Sequence, residues 1–250
     1  MSIRILHDYI FDEATISSSS EEGLLVDDNV VDQFIAKTWR ATGDTDEWIK
    51  FTSGAAMAPT MVGIFGHNFS ATATVTLQAN ATDAWGSPSY EQAFTWDEGS
   101  MIIFPAGSPS YQWWRIHIAD ASNPDGYVAI GRVCAGIYVE PSIGVNAQAQ
   151  KSWQDPSTSD SSYGQQKYSI VRLKYRIFSL TLEDMGRADQ DIIIDMYKDN
   201  GNIFPVVIAL DPNNYPNKDT IYSLIATPID MALRVLNQGT IALTFQELVS

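Results

Sequence analysis

The hydrophobic positions of this chain fall in short runs and alternations rather than helical stripes. Met61 to Phe65 is an apolar run closed by Gly66, and Met101 to Phe104 is another, ended by Pro105. Ala73 to Leu77 reads ATVTL, the alternation of a half-buried strand. In Tyr111 to Ile118, Trp114, Ile116 and Ile118 share one face, and Trp113, Arg115 and His117 share the other. Tyr127 to Tyr138 is a further strand, with Gly131 and Gly136 expected as bulges or points of close approach. Turn-forming clusters at 86–89, 105–110 and 120–126 separate these runs. Short strands at this spacing predict a sandwich or barrel, because residues 60–140 lack the amphipathic helices that parallel βαβ units need. One short helix is expected over Val30 to Thr38, and the polar Ser17 to Glu22 reads as a loop.

The pattern changes after residue 145. Asn146 to Gln166 is rich in Ser, Gln and Asp and predicts a polar linker or long loop. Tyr168 to Leu182 reads as one long strand. Ile170, Arg172, Lys174 and Arg176 lie on one face and Val171, Leu173, Tyr175 and Ile177 on the other, with a slip near Phe178. A helix follows, with Glu183 and Asp184 near its start and Ala188, Ile192, Ile193 and Met196 at helical spacing; Asn200-Gly201 stops it. Asn202 to Leu210 predicts a buried strand, and Tyr222 to Thr227 and Thr240 to Glu247 predict two more. The expected organisation is a mostly β protein: a β-sandwich over 1–145, a linker over 146–166, and a second β-rich region with one helix over 167–250.

Charge narrows the partners. The 250 residues carry a net charge of -15, with 6 basic and 18 acidic side chains in residues 1–140 and 9 and 12 in the rest. A phosphate backbone would repel such a chain, so nucleic acid is not an expected partner. No window has the roughly 18 uninterrupted apolar residues that membrane insertion requires, and the N-terminus lacks the apolar core of a signal peptide. These features point to a soluble protein made in a cytoplasm. The single cysteine, Cys134, excludes an intrachain disulfide and reads as a small buried hydrophobe.

An ordered set of motifs carries a resemblance. Trp39-Arg40, Trp48 to Phe51, Ile64-Phe65-Gly66-His67-Asn68-Phe69, Val75 to Asn80 and Trp85 follow one another; Trp114 to Asp120 and Tyr127 to Gly136 come later. This order resembles galactose-binding-like jelly-roll domains of tailed-bacteriophage virion proteins, over residues 30–140. The later course, from a Tyr-Gly-Gln before a long strand through a short helix to Val206 to Pro212 and Thr240 to Glu247, is similar to phage minor tail and baseplate proteins. The resemblance implies a structural protein of the virion, in the tail tip or baseplate, made in the host cytoplasm. By tail symmetry it would form a homo-oligomeric ring, trimeric or hexameric, and dock other tail proteins. The alternative use of the same jelly roll is an adhesin that grips host surface glycans.

Catalytic signatures are missing from the sequence, and a non-enzymatic protein without a cofactor is expected. His67 lacks the nucleophile and orienting acid of a general base, and His7 and His117 are isolated. There is no GxSxG elbow and no phosphate-binding GxxxxGK[ST] loop. Two acidic clusters, Asp44 to Glu47 and Asp120 with Asn123 and Asp125, offer the oxygen donors that Ca²⁺ takes, and galactose-binding-like folds often carry a structural Ca²⁺. Neither is an EF-hand loop, and a solvated acidic turn is the simpler account. Trp39, Trp48 and Trp114 read as core, and Trp85, Trp96 and Trp153 lie in loop-like settings. Trp113 must face away from Trp114, which makes it a candidate interface or sugar platform. The basic strip Arg172, Lys174 and Arg176 is the other candidate interface, suited to the acidic first region of a neighbouring copy.

Overall fold

The computed structural model describes residues 2–142, 149–235 and 238–249. Strands β1 to β11 span Arg4–Leu6, Thr15–Ser18, Trp39–Arg40, Glu47–Met57, Met61–Phe65, Thr74–Asn80, Tyr90–Ala93, Ser100–Ile103, Tyr111–Ala119, Ala129–Ile130 and Arg132–Gly136. Strands β12 to β15 span Gln150–Gln154, Thr158–Ser161, Lys167–Ile170 and Tyr175–Met185. Helix α1 (Arg187–Asn200) follows, then β16 to β19 at Val206–Ala209, Thr220–Ile225, Asp230–Val235 and Gln238–Glu247. Among the described residues no helix is long and apolar enough to cross a membrane.

The chain divides into two compact units, each discontinuous in sequence: Met1–Pro141 with Val206–Thr220, and Ser142–Pro205 with Ile221–Ser250. The first unit therefore takes in a segment from deep within the second expected region. Backbone pairing explains it. Strand β16 is antiparallel to β1, with Arg4 opposite Ala209 and Leu6 opposite Val207, so an apolar strand distant in sequence is bound to the start of the chain.

The first unit is a jelly-roll sandwich of two antiparallel sheets, ordered β2-β4-β9-β6-β7 and β11-β5-β8. Its core follows from the period of two. Ile49 and Phe51 of β4 pair with Ile116 and Trp114 of β9, while Val62, Ile64, Met101, Ile103, Val133 and Ala135 come from the other sheet. Each such aliphatic side chain removed from water contributes about 1.5–3 kcal/mol. Trp114 is fully buried, and its indole N–H is satisfied by the carbonyls of Met57 and Tyr111 at 3.2 and 3.1 Å. Phe11 stacks on Phe51 with centroids 4.3 Å apart. Cys134 is buried as expected, and its thiol is pushed up to about 12 by desolvation.

Two local expectations differ. Over Val30 to Thr38 only a short 3-10 turn forms, at Asp27–Val31. The Asp32 carboxylate accepts the Phe34 N–H at 2.9 Å, and this local bond replaces a continuing helical turn. Ser17 and Ser18 lie in β2, paired with Lys50 and Ile49 of β4, rather than in a loop.

In the second unit β19 is central, flanked on one side by β15 and on the other by β17 and β18, with β12 beyond β15. Phe178, Leu180 and Leu182 of β15 lie opposite Phe245, Leu243 and Ile241, and all six are buried. Helix α1 starts at Arg187, because Glu183 and Asp184 still belong to β15. Gln190 of α1 lies against Gly239 and donates to the Met185 carbonyl at 2.7 Å. The polar stretch 146–166 contains β12 and β13, and its first residues, 146–148, lie outside the described residues. Tyr168 to Leu182 is two strands, β14 and β15, with a break over 171–174.

Gly136 marks close approach rather than a bulge, since β11 pairs with β5 in unbroken register, and Gly131 lies between β10 and β11, where the pairing partner changes from β3 to β5. A Cβ on Gly136 would meet the Asp8 carbonyl oxygen at 2.0 Å, and one on Gly131 would meet the Ile35 carbonyl oxygen at 2.4 Å. Both obstacles are backbone. Gly136→Ala is therefore expected to cost about 3 kcal/mol or more. Gly54→Ala, where nothing lies within 4 Å, should change stability by less than about 1 kcal/mol. Urea unfolding followed by tryptophan fluorescence checks both.

Candidate functional site

A cleft of about 330 Å³ opens in the first unit between two loops. That volume is at the small end of the range for ligand sites. One wall is Thr95, Trp96 and Asp97, between β7 and β8; the other is Asn214 to Lys218, between β16 and β17. Each wall is fixed by its own hydrogen bonds. The Trp96 indole N–H donates to the Phe69 carbonyl at 3.1 Å, and Asp97 Oδ1 accepts the Gly99 N–H at 3.1 Å. In the DPNNYPNKD turn, the Asp211 carboxylate accepts the Asn214 amide at 3.0 and 3.2 Å, and the Asp211 carbonyl accepts the Tyr215 N–H at 3.0 Å. Asn217 stitches the walls together. Its side chain donates to the Thr95 carbonyl at 2.8 Å and accepts the Ile102 N–H at 2.8 Å, while its carbonyl accepts the Ser100 hydroxyl at 3.0 Å.

What remains exposed is aromatic with polar neighbours. Trp96 is 36% and Tyr215 57% exposed, although both lie in an ordered cleft. With the indole N–H engaged, Trp96 presents an apolar ring. Asp97, Asn214 and Lys218 add a carboxylate, an amide and an ammonium. Rings beside such groups suit a ligand with one apolar face and a rim of hydroxyls.

His67 has a structural place beneath the Asp97 wall. Its Nε2–H donates to the Asp97 carbonyl at 3.1 Å, and its Nδ1 accepts the Phe69 N–H at 3.2 Å. The ring stacks on Phe69, with centroids 4.6 Å apart. One donor and one acceptor describe a neutral imidazole, and burial lowers its pKa to about 4.

The structure disperses the other residues picked from the sequence. Trp113 is on the outer face of β9, where Lys50 Nζ lies 5.9 Å from its ring and 4.4 Å from that of Trp48. Trp48 is thus on the outer face rather than in the core. Trp85 is covered by the Arg115 guanidinium at 4.5 Å. Arg172, Lys174 and Arg176 do not form one strip. The break over 171–174 removes the first two from the ladder, and Arg176 binds Glu247 in a two-pronged pair, Nη2 to Oε1 at 2.5 Å and Nε to Oε2 at 3.0 Å. Lys174 pairs with Asp155 at 3.5 Å.

The acidic clusters are engaged by donors from the chain. Glu47 accepts the Ser19 and Ser20 hydroxyls; Asp120 accepts the Ser70 N–H and hydroxyl and the Asn123 amide. Among the described residues no group of three or more His, Cys, Asp or Glu is placed to hold a metal. Tyr215 and Asn217 were not picked out from the sequence. The available signal was an aromatic residue inside a turn otherwise made of Asp, Pro, Asn and Lys.

No family model matches the sequence, and no curated protein matches it. Solved structures are similar to part of it. A chitosan-binding module of a chitosanase/glucanase from Paenibacillus sp. IK-5 shares 18% identity, with a TM-score of 0.43, over 53% of this chain and 99% of its own. A family 32 carbohydrate-binding module of C. perfringens NanJ, solved with galactose, shares 15% identity, with a TM-score of 0.42, over 55% and 99%. A fucose-binding module of Streptococcus pneumoniae shares 12% identity, with a TM-score of 0.41, over 51% and 96%. At these values the likeness assigns neither ligand nor site to this chain.

The His67 geometry predicts a pH dependence. The folded state holds the imidazole at about 4, and the unfolded chain returns it to 6.5. Its contribution is therefore complete above 6.5 and is lost as pH falls toward 4, because the unfolded state takes up the proton first. Between about pH 7 and about pH 5 this removes about 2 kcal/mol. Urea unfolding at both pH values should show the loss in the wild type and a flatter response in His67→Gln.

Proposed function

We propose that this protein is a non-catalytic carbohydrate-binding module whose sugar site is the Trp96–Tyr215 cleft. The observation that carries the reading is the pair of exposed aromatic side chains held on two hydrogen-bonded walls. A pyranose ring has an apolar C–H face and an equatorial rim of hydroxyls. Trp96 and Tyr215 supply surface for the face, and Asp97, Asn214 and Lys218 supply acceptors and donors for the rim. The walls need little ordering when the ligand arrives, which lowers the entropic cost of binding. The net charge of -15 favours neutral or amino sugars over anionic glycans.

The assembling role implied by the resemblance to phage tail proteins needs a different surface, one that other protein copies can cover. None of the similar structures named above is a phage protein. Within the second unit, strands β13 and β14 form such a surface, because every residue in them is exposed.

Glycan-array screening followed by calorimetry on the best ligand tests the sugar site. Trp96→Ala and Tyr215→Ala should each weaken binding about tenfold or more, equivalent to ~1.4 kcal/mol. Near-UV circular dichroism confirms that each variant is folded, and Tyr215→Phe should retain most of the stacking. Unchanged affinity in both alanine variants, or an array without any bound glycan, overturns the proposal.

A further inference from the structure

The hydrogen bonds around His67 close a ring through one wall of the cleft. Nε2–H donates to the carbonyl of Asp97, the residue after Trp96, at 3.1 Å. Nδ1 accepts the Phe69 N–H at 3.2 Å. The Phe69 carbonyl in turn accepts the Trp96 indole N–H at 3.1 Å. One imidazole thus holds Trp96 twice, through the backbone of its neighbour and, by way of Phe69, at the tip of its ring. The peptide that carries the Phe69 carbonyl is fixed from its other side, because the Ser70 N–H donates to the Asp120 carboxylate at 2.8 Å. Phe69 is buried and stacks on the imidazole, so its N–H has no ready partner in water. His67 itself does not line the cleft.

This ring of bonds exists for one charge state. A neutral imidazole with its proton on Nε2 offers the donor that Asp97 needs and the acceptor that Phe69 needs. A proton added to Nδ1 sets N–H against N–H, and the Phe69 donor loses its partner at a cost read as a change in the wall. The charged groups facing the imidazole are the carboxylates of Asp97, on the wall, and Asp120, just after β9. Burial opposes the imidazolium and outweighs both carboxylates, which favour it, so the ring stays neutral until the pH falls to about 4.

We infer that His67 is the positioning residue of the cleft: its neutral imidazole holds the Trp96 ring in place for the sugar, and its protonation frees that wall and releases the ligand. The inference rests on the Trp96–Tyr215 cleft being the sugar site. By linkage the effect is reciprocal, so a bound sugar makes His67 harder to protonate.

The indole N–H resonance of Trp96, assigned with Trp96→Phe, reports the wall in the absence of any ligand. In the wild type it should shift with the same midpoint as the His67 imidazole, about 4. His67→Gln, which supplies a donor and an acceptor that do not titrate, should abolish that component. A second arm avoids acid. At neutral pH, His67→Phe keeps a ring and removes both bonds; a cooperative thermal transition shows that it is folded. It should displace the Trp96 resonance and weaken the binding of galactose and glucosamine, a neutral and an amino probe, about tenfold, and His67→Gln should recover most of that loss. In the wild type, calorimetry should show binding about fourfold weaker at about pH 3.5 than at neutral pH. A Trp96 resonance that moves equally in the wild type and His67→Gln, or probe affinities that His67→Phe leaves unchanged, overturns the inference. A resonance that follows His67 while neither probe binds speaks against the sugar site and leaves His67 as the holder of Trp96.

Discussion

The first unit depends on one buried amide. Strand β8 is an edge strand, and its outward Ile102 N–H would be left unpaired against the segment that covers it. The side chain of Asn217 takes that N–H, reaches the Thr95 carbonyl with its own amide, and its backbone carbonyl receives the Ser100 hydroxyl. A buried backbone donor without a partner costs about 1–3 kcal/mol, so this one residue both closes a sheet edge and fastens a remote turn to the sandwich. The position of Tyr215, two residues earlier in the same turn, follows from that attachment. The aromatic cleft is thus a consequence of how an edge strand is capped.

The sandwich was legible in the sequence because its signal is local. The alternation in Tyr111 to Ile118 fixes which side of β9 is buried, and Trp114 is inside as that period demands. Gly131 and Gly136 were legible as special positions for a similar reason, although the backbone atoms they admit, the carbonyls of Ile35 and Asp8, come from remote parts of the chain. The cleft was half legible. Trp96 stood out as a loop tryptophan, but its partner wall begins at Asn214, more than a hundred residues away, and no local pattern announces a contact of that separation. The same limit applies to Arg176. Its alternation suggested a free basic face, whereas its guanidinium binds a carboxylate from the far end of the chain, Glu247. Local competition explains the failed helix at Val30 to Thr38, where a single Asp32 side chain captures the backbone donor that helix continuation requires.

The cleft and the hairpin of β13 and β14 differ in how firmly the chain holds them. The cleft is cross-braced by Asn217, His67, Asp211 and the Trp96 indole, so its aromatic rings are placed before any ligand arrives. The 158–173 hairpin has one ladder of its own and a turn closed by the Ser162 N–H on the Gln166 carbonyl at 2.8 Å. A two-stranded hairpin that pairs only with itself is marginally stable in water, so the chain holds this element more weakly than the cleft. A preformed cleft suits a small ligand, whose few contacts leave little free energy for rearranging its site. The cross-bracing therefore belongs to the cleft, and the hairpin, with one ladder, lacks it.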